Sequence, residues 1–189
     1  VTDQRTIDGQ RRSQAQRKMN AVVLELIKQA VNFGVSAKCV LFDSWYSSPQ
    51  MFWYLKELGL DSVAMLKRSS KVYYRYRGRN YSIKALYRRL LNSKRPVGKS
   101  YLYSSIVEAN FQGQAFPVKI VFVAKKGFRN QYLVLASTNT SLTPQQIIQL
   151  YSRRWSIETY FKTAKQYLRL ISPKFKVLMA RLPKLLSRR

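Results

Sequence analysis

Histidine is absent from this 189-residue chain, and cysteine occurs once, at Cys39. Those absences exclude His-based catalytic triads, disulfide frameworks and zinc sites built from several Cys and His ligands. A lone thiol at the start of an apolar run fits a cytoplasmic location. Acids are scarce too, 8 against 35 Lys and Arg, for a formal net charge of +27 and a pI near 10.6. Any catalysis must therefore rest on a few carboxylates. Long apolar runs are also missing. The longest stretch, VKIVFVA at 118–124, broken only by Lys119, is too short to span a bilayer, and neither end reads as a signal peptide.

What remains is 46% hydrophobic, enough for one globular core with a lobe inserted into it. A charge of +27 exceeds what solubility calls for and points to a polyanionic partner.

Val1 to Lys18 is polar and basic without an apolar period and predicts a loop, or the end of an earlier element. Val23, Ile27, Ala30 and Val31 follow helical spacing between Met19 and Phe33, with Gly34 as C-cap candidate. Ala37 to Phe42 predicts a strand that stops at Asp43. Ser48 as N-cap and Pro49 at the first helical position open a helix over Gln50 to Leu58, which Gly59 closes. Asp61 to Leu66 predicts a second strand. Helix, strand, helix, strand with tight links is the pattern of parallel βαβ structure. Asp43 then stands at the C-terminal end of a buried strand, where ligand sites of open α/β sheets collect. An N-cap or turn aspartate is the other reading.

From Lys67 the character changes. KVYYRYRGRNYS alternates aromatic and basic residues, a short helix is expected near Ile83 to Leu91, and SYLYSSIVEANF, FPVKIVFVAKK and RNQYLVLAS read as strands. Sixteen cations lie between Lys67 and Arg129 against one acid, Glu108. Aromatics among arginines can stack on bases while the cations follow phosphates. Equally, Tyr73, Tyr74, Tyr76, Tyr101 and Tyr103 can be strand residues with one face buried.

Thr143 and Pro144 repeat the cap-plus-proline device and open a long helix, TPQQIIQLYSRRWSIETYFKTAKQYLRL, to Leu170. At about 100° per residue, Tyr151, Arg154, Glu158 and Lys165 fall within an arc of roughly 60°. A carboxylate among cations on one face suits a site that holds a metal and a phosphate. A solvated face, with Glu158 paired to Lys162 four residues on, is the alternative.

VLFDSWYSSP (40–49) resembles the second catalytic-aspartate segment of bacterial insertion-sequence-four-type DDE transposases. Tyr151-x2-Arg154-x3-Glu158-x6-Lys165 resembles the Y-R-E-K signature of that family. DQRT (3–6) and RRSQAQ (11–16) are similar to the segment ahead of the aspartate, so the resemblance runs over roughly 3–170. It implies an α/β, partial RNase H-like domain with a β-rich insertion between the second Asp and the Glu. Residues 1–66 would be the second half of the core, 67–140 the basic insertion, 141–170 the helix of the catalytic Glu and 171–189 an atypical basic tail.

The implied function is metal-dependent phosphodiester cleavage and strand transfer at insertion-sequence ends. Carboxylates hold two Mg²⁺ ions in the family. Asp43 and Glu158 would be catalytic metal ligands, and Tyr151, Arg154 and Lys165 would position DNA phosphates. The implied partner is double-stranded DNA, both transposon ends and target, bound by a homodimer in the cytoplasm at the nucleoid.

Three departures shape the expectation. The family's first catalytic Asp lies upstream of the segment resembling Val1 to Lys18, and Asp3 and Asp8 do not follow a buried strand, so the chain is expected to be an N-terminally truncated, inactive fragment. Some relatives hold a flipped base with a tryptophan in the inserted lobe. Here the tryptophans are Trp45, Trp53 and Trp155, leaving Phe128 or Tyr132 as substitutes. Finally, ISPKFKVLMARLPKLLSRR breaks the helical pattern and is expected to be a frameshifted tail. A non-catalytic basic nucleic-acid-binding protein is the competing reading that charge alone supports.

Overall fold

The computed structural model describes residues 17–93, 101–124 and 131–167. The stretches DQRT and RRSQAQ, the acids Asp3 and Asp8, Phe128 and the tail 171–189 lie outside the described residues. The chain divides into two compact units, 1–151 and 152–189.

In the first unit, α1 (Met19–Asn32) turns Val23, Leu24, Ile27 and Val31 toward the core. It is followed by β1 (Cys39–Phe42), α2 (Pro49–Glu57) and β2 (Asp61–Met65). The start of α2 is set locally. Ser48 is extended, and its side chain accepts a hydrogen bond from the Met51 N–H at 3.2 Å, while Pro49 needs no N–H partner in the first turn. Its end is equally local. Gly59 sits at φ 71°, where a Cβ would be strained, so that its N–H reaches the Lys56 carbonyl and the Leu60 N–H the Leu55 carbonyl, both at 2.9 Å. With both turns tight, β1 and β2 pair in parallel, Phe42 opposite Ala64.

The stretch from Lys67 forms β3 (Tyr73–Tyr76), β4 (Arg79–Ser82), α3 (Ile83–Ser93), β5 (Tyr103–Phe111), β6 (Gln114–Ala124) and β7 (Tyr132–Ser137). These strands continue the sheet of β1 and β2. The order is β1-β2-β7-β6-β5-β3-β4, with every pair after β1 and β2 antiparallel. β7 docks on β2 through Val63 opposite Ser137, Ala64 opposite Ala136 and Met65 opposite Leu135.

The central strands are covered on both faces, which is why IVFVA (120–124) is apolar at successive positions instead of alternating. Val118, Ile120 and Phe122 of β6, with Val134 and Ala136 of β7, pack into a cluster with Phe52, Leu55 and Leu86 from the helices. Val121 and Leu135 point the other way, to a second cluster with Val63, Ile147 and Tyr151. Ile147 and Tyr151 belong to α4 (Pro144–Tyr167), whose first two turns cover that face. The aromatic candidates divide by strand parity. Tyr74 and Tyr103 are buried while Tyr73 is exposed, and burial holds the Tyr74 phenol well above its ordinary value.

Polar groups at the base of the β2–β7 junction are mutually satisfied. The Ser62 N–H donates to Thr138 Oγ1 at 2.9 Å, the Thr138 N–H to the Ser62 carbonyl at 3.1 Å, and Asn139 Nδ2 to Asp61 Oδ2 at 2.7 Å. Asp61 therefore serves the scaffold. Burial, aided by the Asp61 charge, raises the pKa of the Cys39 thiol.

The start of α4 carries a reciprocal cap. Thr143 Oγ1 accepts from the Gln146 N–H at 3.3 Å, and Gln146 Oε1 accepts from the Thr143 N–H at 2.8 Å. Lys119 Nζ of β6 donates to the Leu142 carbonyl at 2.7 Å and ties that corner to the sheet. Thr143→Ala is expected to cost about 1 kcal/mol and Phe122→Ala about 3–5 kcal/mol, read as the shift in denaturant midpoint at constant slope. Equal costs would contradict the division between a local cap and a core.

Candidate active site

Asp43 directly follows β1, at the C-terminal end of a parallel strand pair, the end at which ligand sites of open α/β sheets collect. The chain turns sharply there. The Tyr46 N–H donates to the Asp43 carbonyl at 3.1 Å, Asp43 Oδ1 accepts from the Ser44 N–H, and Ser47 Oγ donates to the Ser44 carbonyl at 3.1 Å. The turn delivers the chain to the Ser48 cap, so strand end, turn and helix start together fix the Asp43 backbone. Its side chain is half-buried.

Two neighbours were not singled out by the sequence reading. Trp45 is 74% exposed, and Lys67, just past the end of β2, holds its Nζ 4.1 Å from the centre of that ring. The pair puts an aromatic face and a cation beside the candidate carboxylate. Its signal in the sequence is an Asp-x-Trp after one strand and a Lys after the next, which becomes informative only once the two strands are known to be parallel neighbours.

Tyr132 bears on the expectation of a base-holding aromatic. Its ring is stacked on Tyr87 at 4.0 Å between centroids and interplanar 20°, with the Arg68 guanidinium 5.2 Å from its centre. It is thus engaged within the fold. Tyr87 also has its pKa raised, by burial first and then by the neighbouring phenols of Tyr103 and Tyr132.

On α4, Tyr151 is buried in the second core cluster of the first unit, where its ring packs with Ile147, Val63, Val121 and Leu135. Arg154, Glu158 and Lys165 belong to the second unit. There Arg154 Nη1 meets Glu158 Oε1 at 2.7 Å, with the arginine side chain 19% exposed and the carboxylate 48% exposed. The partner of Glu158 is thus Arg154, one turn before it, and not Lys162, one turn after. Lys165 is exposed.

Asp43 and Glu158 offer the oxygen donors that hard divalent cations prefer. Among the described residues, however, no group of three or more His, Cys, Asp or Glu comes together that could hold a metal ion. The donor type fits Mg²⁺, while the donor number is not met by the described residues alone. No helix of the described residues is long and apolar enough to cross a membrane.

Two comparisons bear on this arrangement. The family described as Transposase DDE domain matches residues 2–175, nearly the whole chain and every candidate residue above. A comparison with curated proteins finds no match.

The Arg154–Glu158 pair is an exposed i,i+4 contact of a kind worth about 0.3–0.5 kcal/mol. Glu158→Gln is therefore expected to leave the denaturation midpoint almost unchanged. A loss of several kcal/mol would show that Glu158 is a structural residue.

Proposed function

The chain belongs to the DDE transposase family, and from that premise we propose that it is of the insertion-sequence-four type, carrying the Y-R-E-K signature on α4. Its substrate is then double-stranded DNA at insertion-sequence ends, and the reaction is metal-dependent phosphodiester cleavage followed by strand transfer. In this reading Asp43 and Glu158 are the catalytic metal ligands and Mg²⁺ is the cofactor. Arg154 and Lys165 contact phosphates, and Tyr151 positions the helix that carries them. The stretch 67–140 is the family's insertion between Asp and Glu, 1–66 and 141–170 form the RNase H-like core, and a homodimer assembles on DNA at the nucleoid.

The observation that most supports this reading is the position of Asp43, directly after the first of two parallel strands, within a chain that matches the family over residues 2–175. When bound, the divalent ions would supply activation of water, and then of a 3′-hydroxyl, for in-line attack on phosphorus. The protein's share is positional. The turn at Ser44 to Tyr46 orients the Asp43 carboxylate, and Arg154 holds the Glu158 carboxylate until a cation competes for it. Arg154 and Lys165 offset phosphate charge. The family pattern has three carboxylates, and only these two have assigned positions in the sequence. We therefore expect the 189-residue chain to bind DNA without turnover.

A second reading, a non-catalytic basic nucleic-acid-binding protein, is favoured by the +27 charge. Mn²⁺ binding, followed by water-proton relaxation, separates the two. Asp43→Asn and Glu158→Gln should each weaken it at least tenfold while leaving duplex binding intact. Binding of Mn²⁺ indifferent to both substitutions would favour the simple binder. Divalent-dependent strand cleavage by the chain alone would overturn the expected inactivity.

A further inference from the structure

The sheet carries a second concentration of positive charge, far from Asp43 in sequence. β3 and β4 form a two-residue hairpin, Tyr76 opposite Arg79, with Arg77 and Gly78 at its tip. Both tip residues have positive φ, 49° and 76°. Such turns favour Asn-Gly, and an arginine pays a conformational cost to stand first in one. Beside it, Arg77, Arg79 and Arg89 of α3 line a cleft of about 380 Å³ with Tyr76 and Tyr81. All three arginines are exposed, and no ion pair among the described residues involves them, the nearby Glu108 being held by Arg75 at 3.1 Å.

The ring arrangement selects the kind of contact. Tyr76 and Tyr81 meet edge to face at 6.4 Å, and the Arg77 guanidinium lies 5.4 Å from the Tyr76 ring centre. The Tyr76 ring is engaged by Tyr81 and by Arg77, so the cleft presents guanidinium groups in place of an open stacking platform, the geometry for phosphate oxygens rather than for unstacked bases.

Topology then relates this cleft to Asp43. β1, β2, β6 and β3 all run in one direction, so the tip of the hairpin and the end of β1 share one edge of the sheet. The register places them at similar height. Phe42 aligns through Ala64, Ala136 and Ile120 with Ser105, and Arg75 pairs three residues below Ser105, at Glu108. Arg77 therefore stands about one residue below Phe42. Six inter-strand steps separate β1 from β4, on the order of 30 Å, or about eight to nine base pairs of duplex.

We propose that Arg77, Arg79 and Arg89 form an accessory contact for the phosphate backbone of double-stranded DNA, at the opposite end of the sheet edge that carries Asp43. The inference rests on the transposase reading for its ligand and on the hairpin alone for its residues.

The test is binding of a fluorescent random-sequence duplex of about twenty base pairs, comfortably longer than the distance between the two ends of the edge, by anisotropy over a range of salt. Removing one phosphate contact lowers the slope of log K against log salt by about 0.9. Arg77→Asn should lower it by about one while raising the melting temperature, because the turn is relieved. Gln112→Asn makes the same backbone change at the neutral Gln112-Gly113 hairpin, where φ is 50° and 81°. It should raise the melting temperature with no change in slope. The triple change Arg77→Gln, Arg79→Gln, Arg89→Gln should lower the slope by close to three.

As a charge control, Lys28→Gln, Lys38→Gln, Lys56→Gln removes three cations elsewhere and should lower it by less than one. Equal loss in both triple variants, or an Arg77→Asn variant that is stabilised yet binds as before, would overturn the site and leave the transposase reading standing. Failure of the unaltered chain to bind duplex at all would overturn both.

Discussion

The antiparallel pairing of β7 with β2 is the joint on which the rest of the first unit depends. β2 is held by β1 in parallel on one side and by β7 on the other, and Val63 at its centre is fully buried. Through that joint the basic stretch beyond Lys67 becomes part of the same sheet as the Asp43 strand. The same joint builds the platform on which Ile147 and Tyr151 seat the start of α4. Without it the Asp43 turn, the basic hairpin and the first turns of α4 would have no common support. Its base is fastened by a small, fully satisfied polar cluster around Ser62, Thr138, Asn139 and Asp61, which is the condition under which buried polar groups fix a register instead of weakening it.

Much of this was legible locally. The Ser48-Pro49 and Thr143-Pro144 starts and the Gly34 and Gly59 stops are decided within a few residues, and the helices open and close within a residue or two of those signals. The parallel βαβ start followed from short links, because such links leave few topologies. The joining of β7 to β2 was not legible. It pairs residues 70 to 74 positions apart, and no local pattern encodes a partner. The alternation that marks Val121 and Leu135 as facing opposite to Ile120 and Ala136 is likewise invisible in a run that is apolar on both faces.

The site shows the same boundary. Helical periodicity correctly grouped Arg154 with Glu158, yet it could not tell that Tyr151 would be spent on packing, nor which cation four residues away would take the carboxylate. Those outcomes depend on packing and side-chain geometry, which helical spacing alone does not encode. Trp45 and Lys67 illustrate the complement. Neither is notable alone, and parallel pairing of β1 and β2 is what brings the ring and the ammonium together beside Asp43. Positive charge, obvious from composition, acquires meaning only through direction. Strand polarity gathers Asp43, Lys67 and Arg77 on one edge of the sheet.

The proposed chemistry requires that Asp43 and Glu158 each ligate a divalent cation. Iron-directed hydroxyl-radical cleavage reports on that directly, since Fe²⁺ substituted for Mg²⁺ cuts the polypeptide only near where it binds. With both carboxylates as ligands, cuts are expected close to residue 43 and close to residue 158, all suppressed by excess Mg²⁺, the first set lost in Asp43→Asn and the second in Glu158→Gln. Cleavage near only one of the two, or at neither, would contradict it.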